Sequence, residues 1–415
     1  MNIQVDTYHE LFNLLRATPM LRVLQDIHSR NVSRLKNKKK IKIAFQVALL
    51  SVWTNDMLPV LFDNNARFEV TIVITWQRNT VYAQEVPPMI AHFKKSGVRY
   101  CVADGSVNPS DFDIIFYTSP YLELLDNWGV KEIPLTTLLC YIPYGYCVED
   151  LQPMMFNGVL HNVAWKNYVP NSLYKEMGVR WCALGNYNMV DVGCPKLDSL
   201  IVDRDLADKA VWKIHNKANK VTKIIYAPHH SISDCQCMST FGDNYKWMLK
   251  YAKEHADTTS WVFKPHPLLI KTAVENGIFS SEQEYRHYCE EWNNLPNCSY
   301  VTGGYLEYFQ SSDCMIFDSM SFMVEYLFVN KPSLFLTREK MHLSELGECV
   351  IRAHSLAKGN DYQSIKKFIE HDVHVDDKKN IRRKIFMTYL EYFLKNGKLI
   401  AAEKIYNDII DSVSK

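Results

Sequence analysis

The feature that most constrains the fold of this chain is a regular alternation of short apolar runs and amphipathic stretches. Runs typical of β-strands lie at 41–50, 68–75, 98–102 and 113–117, and a helical pattern at 84–96 separates two of them. Continuous apolar strands that alternate with helices are typical of a parallel sheet covered on both faces. The first part of the chain is therefore predicted to be an α/β domain.

The alternation starts again after a polar stretch at 202–220, which we interpret as a helical bridge. The second set of predicted strands is 222–227, 260–264, 298–301, 313–317 and 333–337, with helices predicted at 243–256, 281–293, 305–311 and 319–329. A polar linker at 371–380 and a long basic helix at 381–413 close the chain. Because 415 residues are long for one core, we expect two Rossmann-like domains.

The charge balance of the chain argues against a protein that coats nucleic acid. Lys and Arg number 47 and Asp and Glu 46, so there is no overall basic field. Basic residues are concentrated locally, at 34–42 and 378–384. Such runs are either solvated faces or contacts with an anionic membrane surface, and we expect no nucleic-acid partner.

The cysteines and the apolar windows indicate the compartment. The 11 cysteines are scattered and form no CxxC framework, which is typical of reduced thiols in a cytosol. The first 15 residues lack the pattern of a signal peptide, and the most apolar window, 43–53, is too short to span a membrane. We therefore expect a cytoplasmic protein, with any contact to the inner face of the membrane being peripheral.

Three of the predicted strands end at residues suited to an anionic ligand. The stretches are "YAPHH" at 226–230, "KPHP" at 264–267 and "IFDSMS" at 316–321. The ends of parallel strands meet at one edge of a sheet, and the first turn of a helix offers free N–H groups to anions. The residues concerned are His229, His230, Lys264, His266, Asp318, Ser319 and Ser321.

Each stretch also has a plainer interpretation. "KPHP" fits a stiff turn between a strand and a helix, "PHHS" fits one buried and one exposed histidine, and Asp318 fits a cap of a core helix that carries a surface Glu325. Cys235 and Cys237 raise the question of zinc, but their spacing matches no usual closed site. The three stretches together favour a pyrophosphate cradle without a glycine-rich fingerprint, as in a transferase that uses a nucleotide-diphospho donor.

Four blocks of the sequence resemble a known family. "YAPHH", "KPHP", "IFDSMSFMVEYLFVNKPSLFL" and "VDVGCPKLDSL" are similar, in order and spacing over about 190–340, to blocks of the CDP-glycerol glycerophosphotransferase-like family. Its members are the polymerases and primases of teichoic acid and related capsules. In the fourth block, Gly193, Pro195, Lys196 and Asp198 take the places of the family's Gly-x-Pro-Arg-x-Asp segment.

The resemblance implies a GT-B-like architecture in which two Rossmann-like domains with parallel sheets face a cleft. It implies an acceptor domain at 1–200, a donor-nucleotide domain at 201–375 and a C-terminal helix at 376–415 that packs across both. It also implies roles for single residues. His266 and Lys264 would contact the donor pyrophosphate, Ser319 and Ser321 would bind phosphate at the helix start, Asp318 would position that turn, and Glu325 would bind the donor's sugar hydroxyls.

The chain departs from the family pattern at the catalytic base. The family has a Trp-His-Gly-Thr-Pro-like loop with a histidine base, whereas the counterpart here, "CYIPYGYCVED" at 140–150, has Tyr144 before Gly145. A tyrosine with its ordinary pKa near ~10 is a poor base at neutral pH. Either His229, His230 or another cleft residue takes the proton, or the reaction differs.

The resemblance implies a transferase that moves a polyol phosphate, such as glycerol phosphate, from a CDP-activated donor to a hydroxyl of a cell-surface glycan or polyol phosphate chain, releasing CMP. No cofactor and no metal are expected, because the only acidic pair of interest, "DIID" at 408–411, falls in a predicted helix. One alternative is a GT-B glycosyltransferase that uses a nucleotide-activated sugar in capsule or lipopolysaccharide synthesis. A second is a GT-B module that only binds a glycan or a partner.

Overall fold

The computed structural model divides the chain into two compact units. The first unit contains Met1–Tyr146, Leu151–Asp198 and Tyr389–Lys415, and the second contains Cys147–Asp150 and Ser199–Thr388. The residues that the structure describes are 21–53, 56–76, 86–121, 125, 128–129, 132–150, 155–203, 205–218, 220–233, 238–339, 341–390 and 400–414.

Each unit is built on one parallel sheet. The strands are β1 Ile41–Val47, β2 Phe68–Ile74, β3 Tyr100–Val102, β4 Ile114–Tyr117, β5 Leu138–Tyr141, β6 Lys166–Val169, β7 Met189–Asp191, β8 Thr222–Ala227, β9 Thr259–Phe263, β10 Cys298–Tyr300, β11 Cys314–Phe317, β12 Ser333–Thr337 and β13 Ser355–Lys358. The first sheet has the order β3-β2-β1-β4-β5-β6-β7 and the second β10-β9-β8-β11-β12-β13, and all strand pairs in both are parallel.

The strands are connected by helices, as the alternating pattern predicts. The α-helices of the described chain are Leu21–Lys36, Met57–Asp63, Val86–Ser96, Val159–Val163, Ser172–Trp181, Asp198–Val202, Phe241–Glu254, Leu269–Glu275, Glu282–Asn294, Leu306–Ser311, Met320–Glu325, Glu345–Val350, Tyr362–Lys367, Val373–Val375, Lys379–Ile385 and Ala401–Val413. Within the described ranges, no helix combines the length and apolarity needed to cross a bilayer.

Apolar side chains cover both faces of the first sheet. Along β1, Ile43 and Phe45 point into one buried cluster, which includes Ile405 of the last helix. Ala44, between them, belongs to a second cluster with Leu24 of the helix Leu21–Lys36. This alternation follows from the two-residue period of a strand and confirms a sheet that is covered on both faces.

The second sheet packs against a dense aromatic cluster. Phe263 of β9 stacks on Trp292 with 5.1 Å between the ring centroids, and Tyr226 of β8 lies 5.6 Å from Phe263. The helix Phe241–Glu254 contributes Phe241 and Met248 to the same cluster. These contacts fix the strands whose carboxyl ends carry the candidate site.

The strand order identifies where a ligand is expected. In both sheets the order reverses beside the first strand of the unit, between β1 and β4 and between β8 and β11. Open α/β sheets bind ligands beyond the carboxyl ends of the strands at such a reversal. In the second unit these ends are Ala227 and Phe317.

The predicted α/β fold with two parallel sheets is confirmed, and two local predictions are wrong. The bridge at 202–220 is not one helix: Leu206–Lys209 form a 3-10 helix and residues 210–218 are not helical. The closing helix predicted at 381–413 is interrupted, because Ile400 is extended (φ −73°, ψ 166°) and a new helix starts at Ala401. Both departures have causes in tertiary contacts, which are described below.

Candidate functional site

Three strand ends of the second unit meet at one edge of its sheet. β8 pairs with β9 on one side and with β11 on the other. The segments that follow these strands begin at Pro228, Lys264 and Asp318. The N–H of His266 donates to the carbonyl of Pro228 at 3.0 Å, which ties the loop after β9 to the loop after β8.

The three histidines predicted from "PHH" and "KPHP" form one cluster. The ring centroids of His230 lie 4.4 Å from His229 and 4.2 Å from His266, and those of His229 and His266 are 5.2 Å apart. His229 is buried, and His230 and His266 are half-buried. The structure therefore brings together three imidazoles that come from two different strand ends.

The surroundings of the cluster keep two of its rings uncharged. Burial and, to a smaller extent, the nearby His230 lower the pKa of His229 to about 3. Burial also lowers the pKa of His266 well below its usual range, with smaller contributions from His229, His230 and Lys264. At neutral pH the two rings offer hydrogen bonds rather than full positive charges.

Asp318 connects the histidine loop to a neighbouring helix. Its carboxylate accepts the backbone N–H of His229 at 2.5 Å, and the backbone N–H and hydroxyl of Thr240 at 2.5 and 2.7 Å. Thr240 precedes the helix Phe241–Glu254, and its hydroxyl also accepts from Asn244 at 2.9 Å. Burial outweighs the opposing effect of these hydrogen bonds and raises the pKa of Asp318 to about 6. Asp318 therefore joins three segments rather than facing open solvent.

The two serines lie at the start of the helix Met320–Glu325. Ser319 is the residue before that helix, with an extended backbone (φ −77°, ψ 125°), and its side chain makes no capping hydrogen bond. Ser319 is buried, and Ser321 is half-buried in the first turn. The hydroxyl of Ser319 is thus not used to cap its own helix.

Lys264 and Glu325 meet around a tyrosine that sequence reasoning missed. The hydroxyl of Tyr305 donates to the Glu325 carboxylate at 2.5 Å, and the Lys264 ammonium lies 5.6 Å from the centre of the Tyr305 ring. Glu325 is fully buried and Lys264 is nearly so. The Gly303-Gly304 pair before Tyr305 is the local signal of this loop.

The first unit contains Tyr144 and the four residues of the "GCPKLD" segment singled out from the sequence, Gly193, Pro195, Lys196 and Asp198. Tyr144 is half-buried in the segment that follows β5. Asp198 is buried, and its carboxylate accepts the backbone N–H groups of Ala401 and Ala402 at 3.1 and 2.9 Å. Asp198 of the "GCPKLD" segment therefore caps the last helix.

The histidine cluster is also the place in the described chain where a metal ion could be considered. One ring nitrogen from each of His229, His230 and His266 falls within 4.8 Å of the others. Neutral imidazole is a common ligand of zinc and other transition metals. Cys235 and Cys237, considered above for zinc, lie outside the described residues, and metal-free donor binding stays a prediction.

Comparison with known families identifies the chain. A family model described as CDP-glycerol:poly(glycerophosphate) glycerophosphotransferase matches residues 156–411, which is more than half of the sequence. The chain belongs to this family. The match includes the histidine cluster, Asp318 and Glu325, and it confirms the predicted family and reaction class, so this is an enzyme of the CDP-glycerol glycerophosphotransferase type.

Solved structures share the fold at low sequence identity. A wall teichoic acid polymerase TagF variant is 13% identical with a TM-score of 0.56, and the alignment covers 93% of each chain. The UDP-GlcNAc 2-epimerase of Neisseria meningitidis, bound to UDP-GlcNAc, is 12% identical with a TM-score of 0.51, covering 90% of this chain and all of that one. The search of curated proteins returned no match. The structures support the GT-B-like fold.

Proposed function

We propose that the second unit binds CDP-glycerol, or a closely related CDP-polyol, with its diphosphate against the histidine cluster. The observation that carries this proposal is the meeting of His229, His230 and His266 at the strand-order reversal of the sheet. Ligands of open α/β sheets bind at this position. The family of the chain supplies the donor class.

The other predicted residues of the second unit are given supporting roles. Lys264 is the cation that offsets the charge of the diphosphate, and Ser319 and Ser321 bind a phosphate oxygen at the start of their helix. Asp318 is a positioning residue, because it holds the His229 loop through a backbone hydrogen bond. Glu325, with Tyr305, faces the hydroxyl groups of the donor.

The reaction proposed is an in-line phosphoryl transfer. A hydroxyl oxygen of the acceptor attacks the distal phosphorus of the donor, and the bond from that phosphorus to the bridging oxygen breaks. CMP leaves with that oxygen, a phosphodiester forms, and the hydroxyl proton passes to a base. Such a transfer depends on positioning and charge stabilisation, which fixed imidazole N–H groups and one ammonium can supply.

The first unit is proposed to bind the acceptor, a glycan or polyol phosphate chain of the cell surface or a capsule. Tyr144, in the segment after β5, is proposed to face the acceptor hydroxyl. We place the enzyme in the cytoplasm because the 11 cysteines of the sequence are scattered and form no CxxC framework. Basic side chains that include Lys379, Arg383 and Lys384 are proposed to make a peripheral contact with the inner face of the membrane.

The test is to supply the purified protein with a poly(glycerol phosphate) acceptor and a panel of donors: CDP-glycerol, CDP-ribitol and UDP-sugars. We expect CMP release and a new phosphodiester from a CDP-polyol only. Release of UDP with a new glycosidic bond would show a glycosyltransferase instead. Binding of these donors without turnover would indicate a module that binds its ligand and catalyses no transfer.

A further inference from the structure

Two histidines of the cluster have one ring nitrogen facing a backbone N–H group. The Nδ1 atom of His266 accepts from the N–H of Leu268 at 3.1 Å. The Nδ1 atom of His229 lies 3.3 Å from the N–H of Ser231, which donates to it, and 2.7 Å from the Ser231 hydroxyl. That hydroxyl oxygen also accepts the N–H of Met238 at 3.1 Å. Because Nδ1 of His229 already accepts the N–H of Ser231, the Ser231 hydroxyl donates its proton to the same nitrogen.

These contacts determine which nitrogen of each ring carries the proton. A backbone N–H can only donate, so the nitrogen that faces it must present a lone pair. A neutral imidazole has one N–H and one lone pair, and the partner of one nitrogen sets the state of the other. In His229 and His266 the proton is therefore on Nε2.

The same contacts oppose protonation of these rings. A proton on Nδ1 would place an N–H group against the N–H of Leu268 or Ser231, and a hydrogen bond would be replaced by a repulsive contact. Burial acts in the same direction, because it lowers the pKa of both histidines. The rings are thus held in a single neutral form at neutral pH.

We propose that His229 and His266 are fixed Nε2–H donors to the diphosphate, and that neither is the general base or a metal ligand. The diphosphate part of this inference rests on the proposed function, whereas the tautomer does not. A base needs a lone pair towards the substrate, and here the lone pair faces the backbone. A metal-binding histidine donates through its other nitrogen to a carbonyl or carboxylate, and here that nitrogen accepts from an N–H.

Substitutions at His266 distinguish a hydrogen-bond donor to the diphosphate from a general base. The amide nitrogen of glutamine can occupy the position of Nε2, whereas that of asparagine falls near Nδ1. We expect His266→Gln to weaken CDP-glycerol binding less than tenfold, and His266→Asn and His266→Ala to weaken it about ten- to hundredfold, the range for a lost hydrogen bond to a charged group. His287→Gln, on an exposed helix face, is the matched control and should bind as the native chain does.

The tautomers are measured without any ligand. Long-range ¹H–¹⁵N spectra of ¹⁵N-histidine-labelled native protein at pH 7 should show Nε2–H patterns for His229 and His266. The two signals are assigned by their loss in His229→Gln and His266→Gln. A chelator-treated sample titrated with zinc chloride should leave both patterns unchanged. Nδ1–H or imidazolium patterns, zinc bound at these rings, or equal binding losses for His266→Gln and His266→Ala would overturn the inference. Native-like binding by all variants with intact Nε2–H patterns would instead refute the diphosphate site.

Discussion

At the scale of single residues, Tyr305 contacts both a buried carboxylate, that of Glu325, and a buried cation, that of Lys264. Its hydroxyl donates to Glu325, and its ring lies under the ammonium of Lys264. A buried carboxylate needs hydrogen-bond donors to remain charged, and a cation over an aromatic face is stabilised. Tyr305 therefore prepares both groups for the proposed donor.

Removal of that hydroxyl should be costly. In Tyr305→Phe the Glu325 carboxylate loses a donor, and we expect a loss of roughly 1–3 kcal/mol in the free energy of unfolding. We also expect weaker CDP-glycerol binding. Chemical denaturation and equilibrium binding measure the two effects.

The control for this prediction is Tyr245→Phe, which removes a hydroxyl from a ring that packs among Phe241, Phe279 and Tyr288. It should change both quantities little. If the two variants behave alike, Tyr305 has no special role at Glu325.

The sequence indicates the histidines, the lysine and the serines of the candidate site, but not the residues that support them. These residues follow neighbouring parallel strands, whose ends meet at one edge of the sheet, so their proximity and chemistry can be inferred from position. Thr240 and Tyr305 are ordinary residues at helix starts, and their roles depend on partners 78 and 20 residues away. Pairing over such separations is set by the fold and leaves no local pattern.

At the scale of elements, the last helix depends on a carboxylate from a distant segment. Asp198 accepts the first two N–H groups of the helix Ala401–Val413, and the Glu403 carboxylate accepts the N–H of Ile400 at 3.2 Å. A carboxylate at a helix start satisfies free donors and complements the helix dipole. This cap explains why the predicted helix is interrupted before Ala401.

The cap should give stability a pH dependence. Burial raises the pKa of Asp198 to about 7, with a smaller rise from Glu403 and opposing hydrogen bonds from Ala402 and Ala401. The folded state therefore keeps a proton that the unfolded chain releases near pH 4, so this contribution to stability falls as the pH rises from about 4 to 7. Asp198→Asn cannot titrate, and its stability relative to the native chain should increase over that range by roughly 3 kcal/mol.

Denaturant unfolding of both proteins at pH 4.5 and pH 7 measures this difference. The comparison cancels the titration of other groups that the two proteins share. A difference that stays constant with pH, or that changes in favour of the native chain, contradicts the raised pKa of Asp198.

Nine strands of the described chain could be predicted from the sequence, and β5, β6, β7 and β13 could not. β6 and β13 read "KNYV" and "SLAK", which carry too few apolar residues to form a recognisable run. Their strand form comes from pairing with β5 and β12. Contacts with distant residues also explain why 210–218 are not helical. Trp212 donates to the Ser311 hydroxyl at 2.8 Å, and the carbonyl of Lys213 accepts from the Ser260 hydroxyl at 2.7 Å. These hydrogen bonds keep the segment in an irregular conformation.

At the scale of the whole molecule, the basic runs divide into structural and exposed parts. Arg34 and Lys38 are bonded to Asp113 at 2.8 and 2.6 Å, and Arg382 is buried against Asp376 at 2.6 Å. Lys379, Arg383 and Lys384 are exposed, next to the exposed apolar side chains of Ile381 and Met387. Only the exposed part of these runs is available to an anionic surface.

The proposed membrane contact can be tested on this part. Triple replacement of Lys379, Arg383 and Lys384 by glutamate should reduce co-sedimentation with vesicles of phosphatidylglycerol and phosphatidylcholine, since each basic residue near such a surface contributes about 1 kcal/mol. The variant that combines Lys250→Glu, Lys271→Glu and Arg286→Glu, on three other helices with exposed faces, is the charge-matched comparison. Equal binding of the native chain and the triple variant, or binding to pure phosphatidylcholine, would contradict the contact.

The central claim is that the histidine cluster of the second unit holds the diphosphate of a CDP-activated polyol. Equilibrium binding of CDP-glycerol to the native chain, His266→Ala and His287→Ala tests it most directly. We predict saturable binding to the native chain and to His287→Ala, and a loss of affinity of about tenfold or more in His266→Ala. Unchanged affinity in a folded His266→Ala protein would contradict the claim.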